Sequence, residues 1–340
     1  MSAVRLDEFD YELPADRIAQ VPIEPRDTSR LLVDRGSAKP DHRIVRDLPE
    51  LLRAGDLVVV NETKVIPARL RLTRRTGGAA EVLLLEPTDG SRRTWEALVR
   101  PARKLRAGEV LLAATGEEIV AIGERTAVGD TFVVELLGPV DALELLDQHG
   151  EMPLPPYITR RLDQQDRYQT VYAKEPGSAA APTAGLHFTP ELLARLTANG
   201  VEHVTVELVV GLDTFQPVSE PDPLDHHMHS ERYRVPTDTY ERCRAARRVV
   251  AVGTTAVRAL ETAAATGQMS GRTELFVHRG FDWQLVDLML TNFHLPRTTL
   301  LMMIDAFVGE RWRRLYAAAL DEGYRFLSFG DAMLLDRAAQ

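Results

Sequence analysis

Hydrophobic and polar residues follow two different rhythms along the chain. Between residues 65 and 138, six short β-like runs are separated by turn residues such as Thr-Gly-Gly, Thr-Asp-Gly-Ser and Ala-Val-Gly-Asp. The runs are VIPARLRLTR, AAEVLLLEPT, RTWEALV, GEVLLAA, EIVAIGE and GDTFVVELLG. Short strands at this spacing predict a small antiparallel barrel.

From about residue 180, the pattern changes to alternating helices and strands. Thr189-Pro190-Glu191 predicts a helix start, because it combines an N-cap, an early proline and an early acid. Further helices are predicted over AVRALETAAA, LLMMIDAF and RWRRLYAAALDEG. Strands are predicted over VEHVTVELVV, RVVAV, ELFVHRG and WQLVDLMLTNFH. This alternation indicates an α/β domain.

The buried strand DLVVV lies before the barrel, and the α/β pattern resumes after it. The barrel is therefore an insertion in the α/β domain. A helical segment, PVDALELLDQHG, and the proline-rich connector EMPLPPYITR follow it. We expect a mixed-sheet α/β sandwich domain with an inserted six-stranded antiparallel β-barrel domain. The predicted bounds are 1–63 and 156–340 for the α/β domain and 64–155 for the barrel.

Composition restricts the class of protein. The 340 residues are 44% hydrophobic, enough for a large core. The single cysteine, Cys243, excludes an intrachain disulfide and all-cysteine metal or iron–sulfur sites. No apolar run could span a bilayer, and the N-terminus has no signal-peptide pattern. These features predict a cytoplasmic protein that does not enter a membrane.

The net charge of −9 argues weakly against a nucleic-acid partner, but the charge is unevenly distributed. Residues 64–106 contain eleven Lys or Arg and four acids, whereas residues 107–152 contain one base and ten acids. Such asymmetry can focus a positive field on one face. The alternative is an ordinary solvated surface of salt bridges.

Two loop motifs carry groups capable of chemistry. PTAGLHF supplies Thr183, Gly185 and His187 just before a helix, where open α/β sheets build their sites. TNFHLPRTTL supplies Asn292 and His294 at a strand end. Histidine can change protonation near neutral pH, so the two motifs predict a shared site. Structural histidines in helix-entry loops are the alternative.

The motif VVAVGTTAVRALE is a candidate anion site. A strand ends in Gly253-Thr254-Thr255, and the helix that follows presents free N–H groups. Arg258, one turn further on, could pair with a carboxylate or phosphate. The motif lacks the P-loop and dinucleotide-binding fingerprints.

The segment LDHHMHSE is a weaker candidate, for zinc. Its three histidines and one acid are His226, His227, His229 and Glu231. An extended segment would turn His227 and His229 to one side and His226 to the other, and no fourth ligand is obvious. A hydrogen-bonding or proton-transfer role for His226, His229 or Glu231 is therefore favoured, and no metal is expected.

Taken together, these stretches resemble one family, the S-adenosylmethionine:tRNA ribosyltransferase-isomerases of queuosine biosynthesis. The motifs that carry the resemblance span nearly the whole chain. They are FDYELPADRIAQVPIEPRDTSRLLV, GDLVVVNETKVIPARL, MPLPPYITR, YQTVYAKEPGSAAAPTAGLHFT, TFQPV, HMHSERYRVP, VAVGTTAVRALE, DLMLTNFHLPRTTLLMMIDAF and FLSFGDAMLL.

The resemblance implies an α/β domain with an inserted barrel and an unusual transfer reaction. The ribosyl part of S-adenosylmethionine would move to the aminomethyl group of a 7-deazaguanine base at the tRNA wobble position and rearrange to an epoxycyclopentanediol. Adenine and methionine would leave. The implied partners are S-adenosylmethionine, as cosubstrate, and tRNA carrying the precursor base, with no prosthetic group, metal or membrane.

This chemistry needs a base for a 5′ proton, an acid for departing adenine and a surface for RNA. His187 and His294 are candidate proton-transfer groups, with Asp213 and Glu231 as further candidate acids or bases. The candidates for holding the cosubstrate are Thr183, Gly185, Gly253, Thr254, Thr255, Arg258 and Asn292. The candidates for tRNA contact are Lys64, Arg69, Arg71, Arg103 and Lys104.

One stretch departs from the family pattern, Leu-His-Val-Gly-x-Gly-Thr-Phe. Here the sequence reads LVVGLDTF, so Val209 replaces the histidine and Asp213 a glycine. Val209 cannot transfer a proton, which leaves two alternatives open. One is a paralogue that uses S-adenosylmethionine on a small deazapurine-like acceptor, and the other is a non-catalytic tRNA-binding module.

Overall fold

The structure, a computed structural model, describes residues 5–126, 130–211, 223, 226, 228 and 230–339. The chain forms two compact units. The first comprises Met1–Thr63, Pro155–Glu175 and Pro182–Gln340, and the second comprises Lys64–Leu154 and Pro176–Ala181.

The elements are labelled in chain order. The strands are β1 (Arg30–Val33), β2 (Asp41–Ile44), β3 (Asp56–Asn61), β4 (Thr63–Val65), β5 (Arg69–Arg74), β6 (Ala79–Pro87), β7 (Thr94–Arg100), β8 (Val110–Leu112), β9 (Glu118–Arg125), β10 (Phe132–Leu136), β11 (Gly150–Glu151), β12 (Glu175–Ser178), β13 (Glu202–Leu208), β14 (Glu231–Arg234), β15 (Arg248–Val252), β16 (Ser270–Thr273), β17 (Val286–Asn292) and β18 (Ala332–Asp336). The helices are α1 (Leu48–Leu51), α2 (Ala142–His149), α3 (Pro190–Ala198), α4 (Thr237–Ala245), α5 (Thr254–Thr266), α6 (Thr299–Val308) and α7 (Arg311–Asp321).

The first unit is built on a mixed sheet. Among the described residues its strand order is β16-β14-β13-β3-β15-β17-β18-β1-β2. Strands β13, β3, β15 and β17 run parallel, whereas β14 and β18 run antiparallel to their neighbours β13 and β17. All six residues of β3 are buried, as expected for a parallel strand covered on both faces. The predicted mixed-sheet α/β domain is confirmed.

The strand order reverses direction at β3, in the middle of this sheet. After β3 the chain next joins the sheet at β13, on one side of β3, whereas the later strand β15 pairs with β3 on its other side. Ligands in open α/β sheets bind outside the carboxyl ends of strands where the order reverses in this way. The ends of β3 and β15 therefore mark the first position at which to seek a site.

The second unit is the predicted six-stranded antiparallel barrel. Its strands follow the order β5-β6-β7-β10-β9-β8, and β8 pairs with β5 to close it, while β11 adds to the outside of β5. Along β7, buried Trp95, Ala97 and Val99 alternate with more exposed residues. This alternation fills the interior with apolar side chains, as small barrels require.

One predicted strand is wrong. The run ELFVHRG, residues 274–280, has no strand, and β16 ends just before it. Thr273 Oγ1 accepts the Leu275 N–H over 3.1 Å, and the Arg258 guanidinium donates to the Leu275 carbonyl. Side chains therefore form hydrogen bonds with backbone groups that would otherwise bond to a neighbouring strand.

None of the helices in the described ranges is long and apolar enough to cross a membrane.

Candidate active site

The densest group of predicted residues lies at the carboxyl end of β17. Thr183 Oγ1 donates to Asn292 Oδ1 over 2.9 Å, and Asn292 Nδ2 lies 3.3 Å from His187 Nε2. The same amide nitrogen lies 3.4 Å from the carbonyl oxygen of Asp331. Thr183 and His187 are the two ends of a 3-10 helix, and Asn292 is the last residue of its strand. Three candidates from two loops thus form one hydrogen-bonded network.

His187 is held neutral within this network. Its side chain is buried, and that burial, followed by the charges of Arg325 and Arg26, lowers the pKa of His187 to about 3. Since the Asn292 amide nitrogen can only donate, we assign the tautomer with hydrogen on Nδ1. In this tautomer Nδ1 carries the hydrogen and Nε2 accepts from Asn292, so the ring can take up a proton only at Nε2 and only when the bond from Asn292 is released.

The amino end of α5 lies against the same 3-10 helix. Gly253 has φ +84°, which lets the chain turn directly from β15 into α5. A Cβ placed on Gly253 would lie 3.5 Å from the Cβ of Ala184. The first helical bond runs from Val257 N–H to the Gly253 carbonyl, so the N–H groups of residues 254–256 have no partner within the helix. Such an end favours an anion.

Both threonines at this helix end are buried. Thr254 and Thr255 are each 7% exposed. Thr255 Oγ1 has no hydrogen-bond partner among the residues that the structure describes. Buried hydroxyl groups normally have a partner, so this oxygen indicates a place for a polar ligand group.

Gly185 is required by a close side-chain contact. A Cβ at this position would lie 2.0 Å from Tyr172 Oη and 2.9 Å from the Thr170 methyl group. Tyr172 Oη and Thr170 Oγ1 are both buried, and neither has a hydrogen-bond partner in the described ranges. Burial raises the pKa of the Tyr172 phenol well above its ordinary value. The missing side chain of Gly185 therefore makes room for a neutral hydroxyl group.

A narrow cavity opens onto His187, and two arginines line it. Arg26 donates to the Gln169 carbonyl over 2.6 Å, and Arg167 donates to the Ile23 carbonyl over 2.9 Å. The cavity lining is Pro22, Ile23, Arg26, Ser29, Arg167, Leu186, His187, Ser328 and Phe329. Arg167 is already paired with Glu24, and the cavity volume of about 10 Å³ leaves room for about one water molecule.

The guanidinium of Arg258 is bonded to other groups of the protein. It forms a buried ion pair with Glu231, and it also lies within hydrogen-bond distance of the carbonyls of Leu275 and Thr273. Glu231 Oε1 accepts the N–H of Gly211 over 3.1 Å. Burial lowers the pKa of Arg258 to about 10, so it stays charged at neutral pH. The pair ties the first turns of α5 to the start of β14.

His294 is not part of the network around His187. Its Nε2 lies 2.9 Å from Thr291 Oγ1, whereas His187 bonds to Asn292. Neighbouring residues of a strand point to opposite faces, so the two histidines lie on opposite sides of β17. Burial lowers the pKa of His294 to about 3 as well. Its catalytic role stays a prediction that no described contact with His187 supports.

The altered family motif lies at the end of β13. Asn61 Nδ2 donates to the Leu208 carbonyl over 2.9 Å, and Asn61 Oδ1 accepts the Leu208 N–H. Val209, the next residue, is buried, and its N–H donates to the Arg232 carbonyl. Asp213 lies outside the described residues.

The zinc alternative finds no support in the described part of the chain. His226 is described there, and Glu231 is paired with Arg258, but His227 and His229 lie outside the described residues. No group of three potential metal ligands is found among the residues that are described.

The barrel candidates differ in their surroundings. The predicted RNA contacts are Lys64, Arg69, Arg71, Arg103 and Lys104. Arg71 Nε lies 3.0 Å from Glu151 Oε2, an exposed pair. Arg69 is half-buried, and its Nε has no hydrogen-bond partner among the described residues. Lys64, Arg103 and Lys104 are exposed. The charge of this strip is therefore only partly neutralised.

Sequence reasoning missed Tyr172, Arg26 and Asn61. Each lies in a motif that carries the family resemblance, YQTVYAKEPG, EPRDTSRLLV or VVVNETKV. A polar or aromatic residue inside such a motif, outside any apolar periodicity, is the signal that could have identified them.

Comparisons with known proteins identify the family of the chain. A family model described as "Queuosine biosynthesis protein" matches residues 6–335. Proteins named "S-adenosylmethionine:tRNA ribosyltransferase-isomerase" are similar throughout. The one from Desulfitobacterium hafniense is 48% identical, and the one from Symbiobacterium thermophilum is 50% identical; each alignment covers 98% of this chain and 100% of the relative.

A solved structure agrees with these relatives. The crystal structure of S-adenosylmethionine tRNA ribosyltransferase from Thermotoga maritima matches with a TM-score of 0.54 and 39% identity. The match covers 96% of this chain and 99% of that protein. This chain therefore belongs to the family of the S-adenosylmethionine:tRNA ribosyltransferase-isomerases of queuosine biosynthesis.

Proposed function

We propose that this protein transfers and isomerises the ribosyl moiety of S-adenosylmethionine onto the 7-aminomethyl-7-deazaguanine base at the wobble position of tRNA. The product is epoxyqueuosine in tRNA, and adenine and methionine are released. The α/β unit would hold S-adenosylmethionine and the catalytic groups, and the barrel would contact tRNA. The observation that carries the assignment is the Thr183–Asn292–His187 network beside the amino end of α5, in which Asn292 and His187 are buried.

His187 is the proposed proton-transfer group. The sulfonium of S-adenosylmethionine acidifies the 5′ C–H protons, so an unprotonated base is needed at the start of the reaction. A pKa of about 3 keeps His187 unprotonated but makes it a weak base in the free protein, so the proposed transfer requires this pKa to rise when the anionic methionine carboxylate binds nearby. Asn292 orients the ring, and Thr183 in turn fixes the Asn292 amide. His294, Asp213 and Glu231 remain further candidates for acid or base.

The amino end of α5 is the proposed binding site for the methionine carboxylate. Thr254 and Thr255 would present N–H groups and a hydroxyl to it. The Gly253 N–H already donates to the Leu290 carbonyl, so Gly253 would contribute through its turn, and Gly185 would lie alongside, with the Tyr172 hydroxyl as an added contact. The guanidinium of Arg258 is already paired with Glu231, which favours an indirect role, namely holding the first turns of α5 in position.

The exposed cations of the barrel are the proposed contact for tRNA. Lys64, Arg103 and Lys104, with Arg69 and Arg71, would neutralise phosphates and release their counterions. The overall charge of −9 does not oppose this, because screening limits the reach of distant surface charges to about 8 Å at physiological salt.

The test is a reaction with S-adenosylmethionine labelled in its ribose and tRNA carrying the precursor base. We expect label in the tRNA, free adenine, and the mass of epoxyqueuosine in the digested nucleosides. The same tRNA with unmodified guanine is the control and should remain unlabelled.

Two outcomes would reject the proposal. Adenine release with the free deazapurine base but no labelled RNA would favour the small-acceptor paralogue. Retention of tRNA on a filter without adenine release in any mixture would favour a binding module.

A further inference from the structure

A groove on the outer face of the barrel lies across three neighbouring strands. Arg71 of β5 pairs opposite Glu81 of β6, which in turn pairs opposite Arg100 of β7. Directly opposite residues share one face of an antiparallel sheet, so these three side chains form a row. The groove has a volume of about 610 Å³, within the range of roughly 300–1,000 Å³ usual for small-molecule sites.

Apolar groups form most of the rest of the lining. They come from Leu72, Ala79, Ala80 and Pro101. Ala79 is exposed, whereas Leu72 and Ala80 are largely buried in the barrel. A flat aromatic group could therefore lie against aliphatic carbon while its edge faces Glu81.

The segment 100–106, with the sequence RPARKLR, borders this groove and contains no acid. Buried Leu105 anchors it to the barrel. Arg74 donates to the Lys104 carbonyl over 3.1 Å and pairs with Glu109, and Glu109 accepts the Arg106 N–H over 3.3 Å. Paired side chains thus hold the backbone of this segment.

The cations of the segment face solvent. They are Arg100, Arg103, Lys104 and Arg106, and all four are exposed. Within the described ranges, no salt bridge to any of them is found. By contrast, Arg74 and Arg75, on the neighbouring hairpin, are paired with Glu109 and Glu118. The uncompensated positive charge therefore concentrates beside the groove.

We propose that this groove takes one unstacked nucleobase of a single-stranded RNA loop, while the segment 100–106 binds the flanking phosphates. The inference rests on the proposed function and deepens it, because it assigns the barrel a nucleotide other than the acceptor base. Unstacked loop bases are what RNA-binding proteins recognise most often, and the combination of a basic track with an apolar platform suits them.

An acidic peptide fits the groove less well than RNA. Glu81 lies in the row between Arg71 and Arg100 and would repel a carboxylate placed there. A nucleobase presents amino or imino N–H groups, which a carboxylate accepts, as in Glu or Asp contacts to cytosine N4. The charge pattern therefore favours a base in the groove and phosphates outside it.

The experiment uses the full chain and anticodon stem-loop hairpins, each with 2-aminopurine at a different loop position. We expect wild type to change the fluorescence strongly at one position. Ala79→Trp fills the groove and should abolish that fluorescence change while leaving the dependence of affinity on salt intact.

The phosphate contacts are tested by the dependence of affinity on salt. Arg103→Ala with Lys104→Ala should lower the salt slope by about 1.4, at 0.7 per phosphate contact to a single strand. Arg75→Ala, which removes a paired cation, is the matched control and should leave the slope unchanged.

Several results would overturn the inference. They are a 2-aminopurine signal that survives Ala79→Trp, an unchanged slope in the double variant, or polyglutamate that competes as well as a single-stranded RNA. Transfer of labelled ribose to tRNA by wild type is measured in parallel. If transfer is normal and any of these contradicting binding results is obtained, the proposal for the groove is rejected and the proposed function is retained. If wild type transfers no ribose, the proposed function itself is rejected.

Discussion

The network around His187 and the basic surface of the barrel use polar groups in opposite ways. The network is buried, its histidine is neutral, and each polar atom depends on one or two specific partners. The barrel surface is exposed, and several of its cations have no acidic partner among the described residues. A buried network is sensitive to the loss of single atoms, since its dielectric is low. An exposed surface acts through its summed charge and is screened by salt. We therefore expect single substitutions to have large effects in the first region and small, salt-dependent effects in the second.

The largest effect is expected from His187→Ala. Loss of a proton-transfer group lowers kcat by roughly a hundredfold to ten-thousandfold. His187→Gln keeps a polar side chain of similar length and separates proton transfer from packing. Turnover is measured as adenine release at saturating S-adenosylmethionine, with circular dichroism to verify folding. His294→Ala is the comparison, and an equal loss in both variants would contradict the view that the two faces of β17 differ.

The next effect concerns the buried pair of Arg258 and Glu231. Arg258→Met leaves Glu231 buried without its partner, which should lower the free energy of unfolding by about 3 kcal/mol. Arg258→Met combined with Glu231→Gln removes the unpaired charge and should recover much of that loss. Urea denaturation of the two variants tests this. If Arg258→Met is as stable as wild type but needs more S-adenosylmethionine, Arg258 instead binds the cosubstrate directly.

The sequence alone predicted the elements but not the contacts of the site. Alternating and continuous apolar runs are local signals, and they identified the six barrel strands, β15, β17 and α5. The contact of Tyr172 with Gly185 and the pairing of Arg258 with Glu231 join distant parts of the chain, so no local pattern contains them. The separation of the two histidines could be predicted only in part. Adjacent Thr291 and Asn292 must point to opposite faces of a strand, but the sequence does not show that His294 bonds to the first and His187 to the second.

The pH dependence of stability should reflect the buried histidines. The pKa of His187 is about 3 in the folded state, below the value of 6.5 for a free histidine. Between these values the unfolded chain binds the extra proton, so stability rises with pH and falls as the solution is acidified. The slope is about 1.4 kcal/mol per pH unit for this histidine. His187→Gln should remove the contribution of this histidine to the pH dependence of the free energy of unfolding between pH 6.5 and 5, measured by urea denaturation.

The smallest expected effect is a difference in hairpin affinity between variants of two adjacent arginines of the barrel, Arg74 and Arg75. Arg74 is 19% exposed and bonds to Glu109 and the Lys104 carbonyl, whereas Arg75 is 65% exposed and pairs with Glu118 alone. Arg74→Ala should weaken hairpin binding by roughly fivefold, the effect of about one lost hydrogen bond that orders the segment 100–106. It should leave the salt slope unchanged, because Arg74 does not touch phosphate. Arg75→Ala should change neither quantity. A lower slope in Arg74→Ala would mean that this arginine itself binds RNA, and the distinction between residues that support the basic surface and residues that form it would fail.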